Sequence, residues 1–347
     1  MKLVADDKIP YISDFFTHMD EIVYLPGEMI THADLQDADI LLTRTVTNIN
    51  AALLENTAVQ FVGTATTGTD HIDEKWLLKN NITLATAAGA NSQAVAEYVI
   101  CCIAALKKQG KLPAHHVAGI IGCGRIGRIV ASILQTVGFE VRCYDPLLTE
   151  KCDFNLVSLD SVICESDFIS IHTPLTKTGL YPTFHMIDQT QLKKMKPNAI
   201  LCNTARGSVI DHAALSRTNN LTLCLDVWEN EPTISLELLH KVIIGTPHIA
   251  GYSIQAKYRA TQMVYESAAH FFGWAKKIVP ENITSRESLS AFFKSEWIEK
   301  ALSIYNPLMH TQQLREAFQN VTNAEKIKSV FIAERKKYPL RDSFVEV

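Results

Sequence analysis

Arg206, Glu231 and His248 are the residues of this 347-residue sequence best suited to chemistry on a small acid. Histidine titrates near neutrality and can accept or return a hydroxyl proton. A carboxylate beside it would fix its tautomer and favour the imidazolium. Arginine can grip a substrate carboxylate through two parallel hydrogen bonds. Each of the three follows an apolar stretch, NAILCN, LTLCLDVW or VIIGTP, which reads as a buried strand. A rim of strand ends is how residues far apart in sequence are assembled into one site.

A second constellation supplies a partner for acid–base work. Val117–Pro146 reads strand, glycine loop, helix and strand, with Gly122-Cys-Gly124-Arg-Ile-Gly127 in the loop and Asp145 closing the second strand. Gly122 permits the tight turn, Gly124 lets backbone approach a pyrophosphate, and Gly127 lets helix and strand pack closely. The helix start, where Arg125 and Ile126 lie, offers unpaired N–H groups and partial positive charge. Asp145 is placed to accept from ribose hydroxyls, and its charge repels a 2′-phosphate, so NAD is expected rather than NADP. Beside a dinucleotide loop, the Arg–Glu–His set points to hydride transfer.

The elements that would position these residues read as α/β throughout. Strands are expected at KLVAD, EIVYL, 38–43, 59–65 and 82–87, spaced by short helices and with no glycine fingerprint among them. Two loops there follow strand ends: Thr43-Arg44-Thr45, and the hydroxyl-rich stretch from Gly63 through Thr66 to His71. Arg44 could pair with a carboxylate or phosphate, and Arg259 is a second candidate for phosphate. Asn91 or Ser92 caps a long helix running to about Lys108. Helix is also expected over 253–274. Past it the sequence turns more charged and carries no ligand motif, as an appended interaction domain would. The run Arg335-Lys336-Lys337 reads as a solvated face.

The composition, 47 % apolar and 20 % charged with a net charge of −4, is that of a soluble globular protein. It offers no basic field for nucleic acid or anionic membrane. The first residues lack a signal-peptide pattern, and no apolar run reaches the roughly 18 residues of a membrane span, so a cytoplasmic location is expected. Eight cysteines form no CxxC pair or metal spacing, and no metal is expected.

Five motifs in order, GCGRIG, HTPL at 172–175, NTARGSVID at 203–211, LDVWENEP at 225–232 and GTPHIAGY at 245–252, make the sequence resemble the D-isomer-specific 2-hydroxyacid dehydrogenases. The resemblance implies two Rossmann-like or flavodoxin-like parallel-sheet domains and a small C-terminal α+β dimerisation domain. It divides them as 1–92 with 256–280 for substrate, 93–255 for NAD, and 281–347 for a homodimer contact. It implies carboxylate binding by Arg206, proton transfer by His248, and orientation of His248 by Glu231. Around NAD it places Arg125, Ile126, Asp145, Thr173, Thr204, Ala205, Asp226 and Gly251. FVGTATTGTDHID at 61–73 and TPLTKTG at 173–179 are similar to members acting on a phosphorylated 2-hydroxy acid, with substrate contacts at Thr45, Thr66 and Tyr252. Two alternatives stay open: another acid such as 3-phosphoglycerate, or a NAD-sensing corepressor without turnover.

Overall fold

The computed structural model describes residues 1–112, 116–149, 153–279, 287–294 and 296–346. The chain divides into two compact units, Met1–Asn91 with Ser253–Thr284, and Ser92–Tyr252 with Ser285–Val347. The expected domain edge at 280/281 lies outside the described residues.

The first unit is built on a five-stranded parallel sheet: β1 (Lys2–Asp6), β2 (Glu21–Leu25), β3 (Ile40–Thr43), β4 (Phe61–Thr64) and β5 (Thr83–Thr86), in the order β2-β1-β3-β4-β5. Successive side chains of a strand face opposite ways. Leu3, Ala5, Ile40 and Leu42 therefore pack with Tyr258, Val264 and Tyr265 of the helix Ile254–Phe272, while Val4, Leu41 and Val62 pack with Leu35, Leu54 and Leu77. That helix starts at Ser253, whose hydroxyl accepts from Ala256 N–H, and stops at Gly273, where φ is +72°.

The second unit holds seven parallel strands: β6 (Val117–Ile121), β7 (Glu140–Tyr144), β8 (Asn155–Leu156), β9 (Phe168–Ile171), β10 (Ile200–Asn203), β11 (Thr222–Leu225) and β12 (Ile244–Gly245). Their order is β12-β11-β10-β9-β6-β7-β8. The chain winds outward from β6 through β7 to β8, then returns to β9 on the other side of β6. The strand order reverses there, and such a reversal opens a crevice at the carboxyl ends of its two strands. The Gly122 loop and His172-Thr173 occupy those ends, and His172 N–H bonds the Ile121 carbonyl at 2.7 Å. The run VIIGTP at 242–247, expected as a strand, forms only the two-residue β12, and the backbone from 246 to 250 is loop.

The helix Ser92–Lys108 is buried along nearly its whole length instead of along one stripe. The C-terminal segment covers what the sheet does not. Its helices Trp297–Ile304, Pro307–Ala317 and Ala324–Lys337, with the residues that cap their C-termini, contribute Ala301, Tyr305 and Tyr338 to the core around Tyr98 and Cys102, and Leu314, Phe318 and Phe331 to the core on the sheet's other face. Phe344 N–H bonds the buried Glu97 carboxylate at 3.0 Å. The tail, expected as a third domain, thus completes the core of the second unit. Seven cysteines are free and six of these are buried, while Cys152 lies outside the described residues. Burial pushes the Cys101 thiol up to about 12, which leaves it inert. Among the described residues no helix is long and apolar enough to cross a membrane.

Candidate active site

His248 and Glu231 meet directly: Nδ1 of the histidine lies 2.7 Å from Oε2 of the glutamate. The other carboxylate oxygen accepts Trp228 N–H at 2.8 Å, so the glutamate cannot swing away from the ring. With Nδ1–H donating to Glu231, Nε2 is the nitrogen left to take a proton. Burial alone would push the Glu231 carboxyl up, but the His248 charge and hydrogen bond, Trp228 N–H and the Arg335 charge together hold it below the ordinary value. It is a carboxylate at neutral pH.

The backbone of His248 is left-handed, at φ +58°. That conformation is strained for a non-glycine residue and persists only where neighbours enforce it. Asp226 enforces it from one side. Its carbonyl accepts His248 N–H at 2.8 Å, and its buried carboxylate accepts Ile249 N–H at 2.7 Å, Ala250 N–H at 2.9 Å and the Thr246 hydroxyl at 2.7 Å. Because the carboxylate can only accept, Thr246 donates to it, and Tyr98 in turn donates to Thr246 at 2.6 Å. Arg341 enforces it from the other. Buried, with 6 % of its surface exposed, its guanidinium donates to the carbonyls of Ile249 and Ala250, to Ala94 and to the Tyr338 hydroxyl. One carboxylate holds the N–H groups of residues 249 and 250 and one guanidinium holds their carbonyls.

Arg206 lies in the loop after β10, just before the turn Gly207–Val209. Asn203 fixes this loop by accepting Ala205 N–H at 3.0 Å and donating to the Arg206 carbonyl at 2.9 Å. The next residue must be glycine, since a Cβ on Gly207 would fall 2.0 Å from the Trp228 carbonyl carbon. This close approach sets the Arg206 loop against the loop that carries Glu231.

The dinucleotide loop meets its requirements. Gly122, at φ +91°, takes a conformation that side-chain-bearing residues rarely adopt, and a Cβ there would meet the His172 carbonyl at 2.8 Å. A Cβ on Gly127 would strike the Gly122 carbonyl at 2.0 Å, whereas one on Gly124 would point into open space, where a ligand can approach. Gly124 caps the helix Arg125–Thr136, and Asp145 ties the loop down by accepting Cys123 N–H at 2.9 Å and Leu147 N–H at 3.1 Å. The hydroxyls of Thr173 and Thr204 are buried without a hydrogen-bond partner. A buried hydroxyl left unpaired is costly, and a ligand at these strand ends would satisfy both. These residues fit a bound dinucleotide.

In the first unit, Arg44 donates to the buried Asp6 carboxylate at 2.9 Å and keeps a buried Nε without a partner. Thr45 is exposed, and Thr66 shares a 2.7 Å hydrogen bond with Thr64. Arg259 sits on the helix Ile254–Phe272. Tyr252 belongs to the second unit, where Arg335 Nε donates to its hydroxyl at 3.0 Å. A second cluster there, His185, Asp211 and Glu229, has ligand-type atoms within 4.8 Å of one another. Each already has an internal partner: His185 bonds Glu229 at 2.6 Å, Glu229 accepts His212 N–H at 3.2 Å, and Asp211 caps the helix His212–Arg217 at Ala214 N–H.

Residues 86–250 match the model of the D-isomer specific 2-hydroxyacid dehydrogenase, NAD binding domain. An erythronate-4-phosphate dehydrogenase of Coxiella burnetii is 42 % identical over 349 residues, spanning 99 % of this chain and 93 % of that protein. This chain belongs to the D-isomer-specific 2-hydroxyacid dehydrogenase family. An erythronate-4-phosphate dehydrogenase of Acinetobacter baumannii is 39 % identical over 356 residues, covering 98 % of this chain and 97 % of the relative. In three dimensions, D-lactate dehydrogenase from Aquifex aeolicus, complexed with NAD and lactic acid, matches with a TM-score of 0.68 and 26 % identity, over 79 % of this chain and 96 % of that one. The family fixes the cofactor as NAD and the enzyme class as a 2-hydroxyacid dehydrogenase.

Tyr98, Thr246, Trp228, Gly207 and Arg341 were not legible as site residues. Only Gly207 gave a local signal, a glycine directly after a functional arginine.

Proposed function

We propose that this chain oxidises 4-phospho-D-erythronate at C2 to 2-oxo-3-hydroxy-4-phosphobutanoate, a step toward pyridoxal 5′-phosphate. Two relatives of that name, aligned over nearly the whole chain, support the substrate. The observation that carries the chemistry is the 2.7 Å contact between Glu231 and His248 Nδ1, which leaves Nε2 as the base. Bound NAD supplies the hydride acceptor for C2. Nε2 of His248 takes the C2 hydroxyl proton, and Glu231 balances the resulting imidazolium. Arg206 grips the substrate carboxylate and fixes C2 relative to the base, the kind of positioning that raises effective molarity. Thr45, Thr66, Tyr252 and Arg44 are assigned to substrate. Gly122, Gly124, Arg125, Ile126, Gly127, Asp145, Thr173, Thr204, Ala205, Asp226 and Gly251 are assigned to NAD. We place the enzyme in the cytoplasm as a homodimer joined through the tail, where Met309, Ile332 and Leu340 are exposed apolar residues.

The test is turnover of 4-phospho-D-erythronate, 3-phospho-D-glycerate and D-erythronate by the purified protein, read as NADH formed or, with a 2-oxo acid added to reoxidise NADH that stays bound, as loss of the 2-hydroxy acid. Selective turnover of phosphoerythronate is expected. Preference for 3-phosphoglycerate would keep the chemistry and replace the substrate. NAD binding without turnover of any acid would overturn the catalytic reading.

A further inference from the structure

We propose that Arg335, on the C-terminal helix Ala324–Lys337, is a substrate-binding residue that receives the distal anionic group of the substrate beside the Tyr252 hydroxyl, so that the tail sets the preference for a phosphorylated acid. The proposal rests on the preceding reading that the substrate is a phosphorylated 2-hydroxy acid.

Arg335 sits in a run of three cations, but its surroundings differ from those of the lysines that follow. It is half-buried, whereas Lys336 and Lys337 are exposed, and Lys337 pairs with Glu334 at 2.6 Å. Arg335 Nε donates to the Tyr252 hydroxyl at 3.0 Å, and its guanidinium carbon stands 5.5 Å from the centre of the Tyr252 ring. One nitrogen and one face of the group are therefore fixed. The two Nη nitrogens make no hydrogen bond or ion pair among the described residues. A guanidinium held by Nε and stacked on a ring presents its fork in one orientation, the arrangement that suits two oxygens of a phosphate. Holding it ready before binding reduces the ordering cost of binding.

Its place relative to the chemistry is set by short links. Tyr252 lies four residues beyond His248 and closes a turn through its N–H on the Ile249 carbonyl at 2.9 Å. The positive charge of Arg335 also helps hold the Glu231 carboxyl below its ordinary value, yet the two form no ion pair. Arg341 and Arg44 are more committed. Arg341 is consumed by carbonyls, and Arg44 gives one Nη to Asp6.

The experiment compares the wild-type chain with Arg335→Gln, Arg335→Lys and the exposed-neighbour control Lys336→Gln, each with NAD and either 4-phospho-D-erythronate or D-erythronate. The readout is the ratio of kcat/KM for the phosphorylated acid to that for the unphosphorylated one, with kcat and KM separated. Charge-assisted hydrogen bonds of this kind are worth about 10- to 100-fold. The ratio should fall by that much in Arg335→Gln, through KM, recover in part in Arg335→Lys, and stay put in Lys336→Gln. NAD titration and thermal melting check that the variants fold. If Arg335→Gln keeps the wild-type ratio, or loses both acids in equal proportion, the proposal fails while the substrate reading stands. If the wild type itself does not prefer the phosphorylated acid, both fail.

Discussion

The second unit holds two kinds of polar group at its strand ends. Around His248 everything is spent: both oxygens of Glu231, both oxygens of Asp226 and the amides and carbonyls of residues 249 and 250 have partners within the unit. At other strand ends the hydroxyls of Thr173 and Thr204 are buried and unspent, and the Nη donors of the half-buried Arg335 beside Tyr252 make no hydrogen bond or ion pair among the described residues. The difference separates two tasks. A group that must move a proton is most effective when its partners already stand where the charge will develop. A group that must hold a ligand keeps its hydrogen-bonding capacity until the ligand arrives. The first unit shows the second pattern at Arg44, whose Nε waits beside Asp6.

The contrast can be broken at its strongest point first. Replacing His248 by Gln removes the base and leaves the dinucleotide loop untouched, so kcat should fall about 10²- to 10⁴-fold, with NAD affinity little changed. Retention of most turnover would remove His248 from the mechanism. Arg341→Ala comes next. It removes the donor to the Ala250 carbonyl, at a cost of about 1–3 kcal/mol for that unsatisfied group, and a second donor from Ile249, whose carbonyl keeps Tyr252 N–H, and from the helical carbonyl of Ala94. The melting temperature should drop and kcat should fall with it, and Arg341→Lys should recover part of both. Loss of stability alone, with kcat intact in the folded fraction, would show that Asp226 suffices to hold the loop.

Smaller effects sharpen the other side. Thr204→Val deletes a buried hydroxyl that has no internal partner. It should weaken NAD by a few-fold to about tenfold without lowering the melting temperature, as titration and thermal melts would reveal. Unchanged NAD affinity would mean that the hydroxyl serves no ligand. The last effect is one of pH. Burial lowers the His212 imidazole to about 4, far below its unfolded value. Its contribution to stability is therefore fully present above about 6.5 and is lost as pH falls toward 4, because the unfolded chain takes up the proton first. The slope from this residue is at most about 1.4 kcal/mol per pH unit. Thermal melts from pH 7 to 4 should show a shallower acid decline in His212→Gln than in the wild type. Identical declines would assign the acid sensitivity elsewhere.

Much of the fold was legible because α/β units announce themselves locally. Strand ends such as Ile171-His172 and Asn203-Thr204 lie where apolar runs stop, and Gly122, Gly124 and Gly127 are bound to one another by spacing alone. The pairing of Glu231 with His248 was also within reach, since both close adjacent strands. The tail was not. Arg341 meets Ala94 across 247 positions and Ile249 across 92, and no periodicity records contacts of that range. Arg335 was read as solvated because its sequence neighbours are, although a helix turns successive residues to different faces. The run VIIGTP was read as a strand because it is apolar, but pairing stops at Gly245, and the Asp226 carboxylate, not a neighbouring strand, satisfies the N–H groups of 249 and 250.

The buried guanidinium at position 341 also bears on how the chain is made. Residues 92–252 emerge from the ribosome with the glycine loop, Asp145 and the acid–base pair already encoded, and so with what cofactor binding requires. The carbonyls after His248 receive their clamp only when some ninety further residues have been translated. A copy without residue 341 would keep the residues of the glycine loop and lose the donor to the Ala250 carbonyl. The order of the acid–base loop thus depends on a residue some ninety positions further along the chain.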